Sequence, residues 1–188
     1  ERLRGHQYDR PVAAMGEYLS AMDAAPMVAA EAEARAPRVL AALGPRMLEL
    51  AARSADGAFP YLVTPEYAAV ARAAVGDLFL VVEQAVVLTG DRDEYYARAH
   101  RHLDHYTGLE NYRNSWRRQG FTDEDFVRGG SERLCDAMVV HGQEAAVLAR
   151  VDELRSAGAD HVLLQVIGGD ERGVPMAEWR RLAAALAG

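Results

Sequence analysis

The turn Gly44-Pro45-Arg46-Met47 has the residue types of an anion-binding site. Gly44 permits a close approach of the backbone, and Pro45 suits the first position of a helix, where a missing N–H costs nothing. The N–H groups of the first helical turn then point at one spot, which favours an anion, most often a phosphate. The Arg46 guanidinium can add a charge-assisted hydrogen bond to the same anion. A structural strand-to-helix turn without a ligand is the alternative.

Three further side chains are candidates for lining a ligand pocket. Tyr61 either stacks on or hydrogen-bonds a ligand, or is a half-buried core residue. Glu83 stands in the apolar run Leu78–Leu88, where a carboxylate costs several kcal/mol unless it is bonded. It either faces a pocket inside a barrel or pairs with an arginine, and we favour the pairing. Arg113 lies in Asn111–Phe121, which mixes aromatic and basic residues and which we interpret as a lid or insertion beside a pocket, ahead of a subunit contact.

Histidine and cysteine give no metal or redox signal. His100, His102 and His105 fall on one predicted helix, but only the last two share a face and no nearby acid completes a metal spacing. We therefore predict a solvated helix face and no metal. Cys135 is the single cysteine, which excludes an internal disulfide and is typical of a protein of the reducing cytoplasm.

The composition narrows the class of partner. The chain has 188 residues, half of them hydrophobic, which fits one domain with a sizeable core. Its formal charge of -7 argues against a nucleic acid or an anionic membrane as partner. All 21 basic side chains are arginine, so Schiff-base chemistry on a lysine is excluded. No apolar run reaches the roughly 18 residues of a membrane helix, and no signal peptide is visible.

Hydrophobic periodicity predicts the elements that position these residues. Apolar segments typical of buried strands lie at 38–43, 58–62, 77–88 and 160–167. Helices are predicted at 10–25, 45–54, 65–75, 91–106, 131–140, 143–157 and 176–186, with an irregular insertion at about 108–130. This alternation implies a parallel sheet, either doubly wound or part of a (β/α)8 barrel, with its working groups in the loops after the strands.

Four stretches carry a family resemblance. The first is Tyr8-Asp9-Arg10-Pro11, and the second is the segment Pro37–Gly57. The third consists of two short runs, Asn111-Tyr112-Arg113-Asn114 and Gly120-Phe121-Thr122, and the fourth is the segment Val151–Val162. Together they resemble the luciferase-like monooxygenase superfamily, in particular the actinobacterial deazaflavin (coenzyme F420)-dependent oxidoreductases. The second stretch is similar to the fifth strand and fifth helix of that family, and the last to its final helix–strand unit. The resemblance covers nearly all of the chain.

The resemblance implies a fold and a function. The fold is the C-terminal half, strands five to eight, of a (β/α)8 barrel, in which residues 1–188 form a single partial domain without the first four strands. Gly44-Pro45-Arg46-Met47 would bind the cofactor phosphate, with coenzyme F420 as the cofactor and FMN as the alternative. The implied activity is hydride transfer between F420 and a small organic substrate, in the cytoplasm and with a homodimer as one option. The resemblance assigns no catalytic residue to this chain. The alternatives are an FMN-dependent monooxygenase and a non-catalytic barrel fragment or subunit.

Overall fold

A computed structural model describes residues 10–26, 36–170 and 173–187. Five parallel strands alternate with helices along this part of the chain. The strands are β1 (Val39–Ala41), β2 (Gly57–Phe59), β3 (Phe79–Val87), β4 (Val139–His141) and β5 (His161–Val166). The helices are α1 (Pro11–Ala24), α2 (Pro45–Ser54), α3 (Pro65–Val75), α4 (Arg92–Thr107), α5 (Glu110–Arg118), α6 (Glu132–Met138), α7 (Glu144–Ser156) and α8 (Met176–Ala187).

The long strand β3 organises the sheet. On one edge it pairs with β2 through its first two residues and with β4 through its last three. On the other edge it pairs with β5 along Val81–Val86, and β1 extends the sheet beyond β2. Backbone hydrogen bonds distinguish the two edges of β3. The carbonyls of Leu80 and Val86 accept N–H groups from the residues just before and just after β5, whereas the carbonyl of Val87 accepts the N–H of Gly142, just after β4.

The two faces of the sheet have different surroundings. Leu40, Ala58 and Leu80 occupy matching register positions and are buried in one cluster with α2 and α3. The opposite face carries Phe79 and Glu83 of β3, because side chains alternate along a strand. Aromatic residues of α4 and α5 cover its upper part, which holds the carboxyl ends of the strands.

The lower part of this second face is open. Val39, Phe79 and Leu163 are 40%, 46% and 43% exposed, although each belongs to a strand of the sheet. Apolar strand residues are normally covered, as they are on the helix-packed face of the same sheet. The open part of the sheet therefore has the composition of a barrel interior.

Most predicted helices form within one or two residues of the expected bounds. Helix α3 begins as predicted, with the Thr64 hydroxyl accepting the Tyr67 N–H at 3.3 Å. The strands are shorter than predicted, and β4 is absent from the predicted elements because the sequence pattern predicts one helix over 131–140. None of the helices within the described ranges is long and apolar enough to cross a bilayer.

The segment 108–130 is more regular than predicted. It contains the helix α5 and a 3-10 helix over Asp123–Phe126. The expected irregular insertion is wrong for these residues, because burial of Ser115 and Trp116 stabilises a helix whose composition is otherwise highly polar. Helix α5 lies beside α4 and closes the upper face of the sheet.

Candidate functional site

A cavity of about 710 Å³ opens at the carboxyl ends of β1 and β2. Its wall is formed by α1, by these two strands and the turn after β1, and by side chains from α4 and α5. All four residues of the predicted turn, Gly44-Pro45-Arg46-Met47, line it, and so does Tyr61. The fold therefore brings the predicted anion-binding turn and one predicted pocket residue to the same space, in the place where parallel α/β folds hold their ligands.

One end of the cavity is the first turn of α2. Gly44 is its N-cap in an extended conformation with φ −126° and ψ 160°, and Pro45 is the first helical residue. The N–H groups of Met47 and Leu48 both donate to the Gly44 carbonyl at 3.0 Å. The Arg46 N–H has no partner within the described ranges, and no side chain caps this helix. A backbone donor and the positive end of the helix dipole thus face the cavity.

A second arginine, which the sequence analysis missed, stands at the same turn. A Cβ on Gly44 would lie 3.7 Å from Nη1 of Arg118, so this guanidinium is within reach of the N-cap. Arg118 also lines the cavity and donates to the Asn114 carbonyl at 2.9 Å. Together with Arg46 it makes this end of the cavity cationic in a chain whose net charge is -7.

The spacing along α5 explains which of its side chains face the cavity. Asn111, Asn114 and Arg118 line it along one face, because residues three or four apart share a face of a helix, and Tyr112 lines it from the adjacent face. Arg113 is not among the lining residues, because its Nε donates to the Thr107 carbonyl at 2.6 Å on another side of the helix. The signal for Arg118 was present in the sequence but required 110–118 to be recognised as helical.

Three tyrosines form the other end of the cavity. Tyr61, Tyr106 and Tyr112 all line it. The ring centre of Tyr106 lies 5.5 Å from that of Tyr61 and 4.8 Å from that of Tyr112. The Tyr61 hydroxyl donates to Oε1 of Gln165 at 2.8 Å and lies 3.2 Å from the Tyr106 hydroxyl. Burial raises the pKa of Tyr61 and raises that of Tyr112 to about 12. A phenol is uncharged at neutral pH, and these shifts keep it so to still higher pH, so this end hydrogen-bonds as a neutral surface.

Glu83 lies behind this tyrosine end and does not line the cavity. It is 2% exposed, its Oε2 accepts the Leu62 N–H at a long 3.4 Å, and its Oε1 has no partner among the described residues. Burial raises the pKa of this carboxyl to about 8. The favoured pairing with an arginine is wrong, because the nearby guanidinium of Arg150 donates to the neighbouring Gln84 at 3.1 Å, on the opposite face of the strand.

The predicted solvated face of histidines is only partly correct. His105 is exposed, whereas His102 is largely buried, and burial lowers its pKa to about 4. His100 contacts the Gly129 carbonyl through Nδ1 at 3.1 Å. Within the described ranges no three His, Cys, Asp or Glu side chains come together as a metal site would require. Cys135 is fully buried, and burial raises its pKa to about 12, which makes it a poor nucleophile.

Comparison with known proteins agrees with this geometry. The family model for luciferase-like monooxygenase matches residues 1–161. The chain belongs to this family. No curated protein matches it. The family assignment confirms the resemblance to the luciferase-like superfamily, and the parallel sheet with the eight helices of the described residues is a partial luciferase-like barrel.

Solved structures share the fold at low sequence identity. An F420-dependent secondary alcohol dehydrogenase in complex with an F420-acetone adduct is 11% identical, with a TM-score of 0.58 over 88% of this chain and 60% of that one. Apo-MsnO8 is 16% identical, with a TM-score of 0.61 over 96% and 61%. The EDTA monooxygenase EmoA from Chelativorans sp. BNC1 is 14% identical, with a TM-score of 0.54 over 79% and 43%. The chain thus spans about 60% of the length of the first two.

Proposed function

We propose that this chain forms the cofactor-phosphate end of an F420-dependent oxidoreductase that transfers a hydride between the deazaflavin and a small organic substrate. The supporting observation is the cationic end of the cavity, where the free Arg46 N–H and the Arg46 and Arg118 guanidiniums face one space at the start of α2. These groups fit a phosphate, since a helix N-terminus and arginines are the usual donors to that anion. When bound, the deazaflavin supplies the redox chemistry, and the protein binds and orients it.

The division of the cavity supports a molecule with a charged tail and a neutral body. The arginine end carries positive charge, while the end at Tyr61, Tyr106 and Tyr112 is aromatic and uncharged at neutral pH. FMN has the same division, so an FMN-dependent monooxygenase of the same family is the second candidate. The cytoplasmic location, expected from the single cysteine, and the homodimer, expected from the resemblance, stay predictions, and no catalytic residue is assigned.

Thermal unfolding of the full chain with added F420, FMN or riboflavin tests this proposal. A ligand that binds the folded state raises the melting temperature by mass action. We expect F420 to give the larger rise, and FMN to exceed riboflavin because riboflavin lacks the phosphate. If neither F420 nor FMN raises the melting temperature, the cofactor proposal is wrong and a non-catalytic subunit is the better description.

Arginine variants locate the phosphate. Arg46→Ala and Arg118→Ala should each weaken binding of the phosphate-bearing ligand about tenfold, because each removes a charge-assisted hydrogen bond. Arg53→Ala is the matched control, since Arg53 is exposed in the last turn of the same helix. Equal losses in all three variants would show only a general effect of charge, and no loss in the first two would place the phosphate elsewhere.

A further inference from the structure

The backbone next to the tyrosine end of the cavity is strained at one residue. Leu62 has a φ of 53°, in the left-handed region, and it is the only non-glycine residue in the described ranges with a positive φ. A branched apolar residue rarely adopts this conformation, and such strain persists only where the surroundings enforce it. Leu62 directly follows Tyr61, so the conformation of one residue sets the direction of the other.

Two buried side chains enforce this conformation from opposite sides. Glu83 of β3 accepts the Leu62 N–H through Oε2 at 3.4 Å, and Trp116 of α5 donates its indole N–H to the Leu62 carbonyl at 3.1 Å. Both are almost inaccessible, at 2% and 0% exposure, and Leu62 itself is 1% exposed. Water therefore cannot replace either bond, and both backbone groups of Leu62 depend on these partners. We call this arrangement the Leu62 clamp.

The Leu62 clamp ends at a hydroxyl in the cavity wall. The Tyr61 hydroxyl donates its single proton to Gln165 on β5 at 2.8 Å, which leaves its oxygen as an acceptor. The Tyr106 hydroxyl, 3.2 Å away, then donates to one lone pair of this oxygen, and the other lone pair stays open to a bound molecule. A bound molecule therefore meets an oxygen acceptor at this point, and a hydroxyl or N–H group is the chemistry that this acceptor recognises.

We propose that Glu83 is a positioning residue that acts through the Leu62 clamp to fix the Tyr61 oxygen as a hydrogen-bond acceptor for a hydroxyl or N–H group of the bound molecule. Glu83 touches neither the cavity nor its contents, so it is not a catalytic residue. Its free Oε1 has no bond to break, which lets this carboxyl gain or lose a proton without dismantling the clamp. The recognition role rests on the proposed ligand site, whereas the clamp itself does not.

The groups that face Glu83 make Tyr61 a suitable reporter of its charge. Ionised Glu83 raises the pKa of Tyr61, after β2, and that of Tyr112, on α5. Tyr106 on α4 adjoins both rings, and Gln165 on β5 is uncharged. His102 on α4 is neutral above about pH 5, since burial lowers its pKa to about 4. Near pH 8, Glu83 is therefore the group in this set that changes charge.

Carbon-13 NMR of the full chain, labelled at the tyrosine ring carbon that bears the hydroxyl and without any cofactor, tests the clamp. Tyr61→Phe assigns the Tyr61 signal. We expect this signal to shift with pH with a midpoint near 8 in the wild type. In Glu83→Gln the shift should vanish, because the amide keeps the acceptor oxygen but has no charge to gain. Tyr18, 61% exposed on α1, is the control signal and should follow neither change.

Glu83→Ala separates positioning from charge. Loss of the acceptor should displace the Tyr61 signal at pH 6 while the Tyr18 signal stays in place. An unchanged Tyr61 signal in a folded Glu83→Ala protein would overturn the clamp. If this variant does not fold, the pH dependence of the Tyr61 signal in the other two proteins tests the proposal. An identical pH dependence in wild type and Glu83→Gln overturns it.

Affinity measurements test the recognition role, with whichever of F420 or FMN raises the melting temperature of the wild type. At pH 7 we expect Glu83→Gln to bind within about twofold of wild type, and Glu83→Ala and Tyr61→Phe to bind about tenfold more weakly. The double variant should also lose about tenfold, because both changes remove one interaction. A hundredfold loss of affinity in the double variant overturns the recognition role. So does full affinity in a Glu83→Ala protein whose Tyr61 signal is displaced. If neither cofactor binds, the proposed function fails, and the NMR result still decides the clamp.

Discussion

Replacing Glu83 by glutamine should shift the free energy of unfolding in favour of the variant as the pH rises. The carboxyl is 2% exposed, and burial raises its pKa from the ordinary 4.5 to about 8. The folded state therefore holds this proton more tightly than the unfolded state does. It follows that the free energy of unfolding decreases as the pH rises from about 4.5 to about 8 and is level above that. Glutamine has no proton to lose, so this decrease disappears in the variant.

The size of the effect follows from the two pKa values. The difference between about 8 and 4.5 corresponds to about 5 kcal/mol over the full range, at 1.36 kcal/mol for each pKa unit. About 4 kcal/mol of this develops between about pH 5 and about pH 8.5. The constant cost or gain of burying an amide in place of a carboxyl adds the same amount at every pH. The slope of the difference with pH is therefore the quantity to measure.

Urea unfolding of wild type and Glu83→Gln across this pH range measures that slope. Other titrating groups are present in both proteins and cancel in the difference between the two free energies of unfolding. Glu49→Gln, at an exposed position of α2, is the matched control for the substitution itself. Parallel curves for wild type and Glu83→Gln would refute the reasoning, because they would mean that Glu83 has the same pKa in the folded and unfolded states.

Two further substitutions test the packing around the site. Trp116→Phe should lower the free energy of unfolding by about 3 kcal/mol, because the Leu62 carbonyl loses its buried donor and the smaller ring leaves space. Its control is Trp179→Phe, at a side chain 46% exposed, which should change the free energy of unfolding by less than about 0.5 kcal/mol. Urea unfolding measures both, and similar losses at the two tryptophans would contradict the assigned bond. Gly57→Ala should cost about 3 kcal/mol, since its Cβ would lie 2.3 Å from the Phe79 carbonyl oxygen where β2 meets β3. Gly90→Ala, with open space around the Cβ, is its control, and a stable Gly57→Ala protein would show that the two strands can separate at little cost.

Local sequence patterns predicted most of the elements, and the exceptions have physical causes. The helices that bury one face were predicted because apolar residues recur at helical spacing. Strand β4 was missed because Val139–His141 continues directly from α6, and only its pairing with β3 distinguishes it from the helix before it. Helix α5 was missed because nearly every residue in it is polar, and the burial that stabilises it is a tertiary contact.

The candidate site divides in the same way. The turn Gly44-Pro45-Arg46-Met47 could be recognised because its backbone chemistry is local, and it lines the cavity, while its binding of a phosphate stays a prediction. Arg118 was not found because it reaches the turn from a distant helix. Glu83 was recognised as unusual, but its partner was not predictable, because the choice between an arginine and the Leu62 N–H depends on a left-handed residue that no local rule expects.

The two ends of the cavity contribute different things to recognition. The end at Arg46 and Arg118 is built from backbone N–H and guanidinium groups, which hold any phosphate-bearing tail and so supply affinity with little selectivity. The tyrosine end has no charge at neutral pH, because a phenol ionises only at about pH 10 and burial raises the pKa of Tyr61 and Tyr112 further. It can therefore discriminate only through shape and through the direction of its hydrogen bonds. A site that is built to hydrogen-bond a particular group strongly rejects molecules that lack that group. A strained, doubly held Leu62 beside Tyr61 is what such discrimination requires, since an acceptor free to turn would accept many partners equally. We therefore propose that the arginine end holds the molecule and that the Leu62 clamp determines which molecule is held.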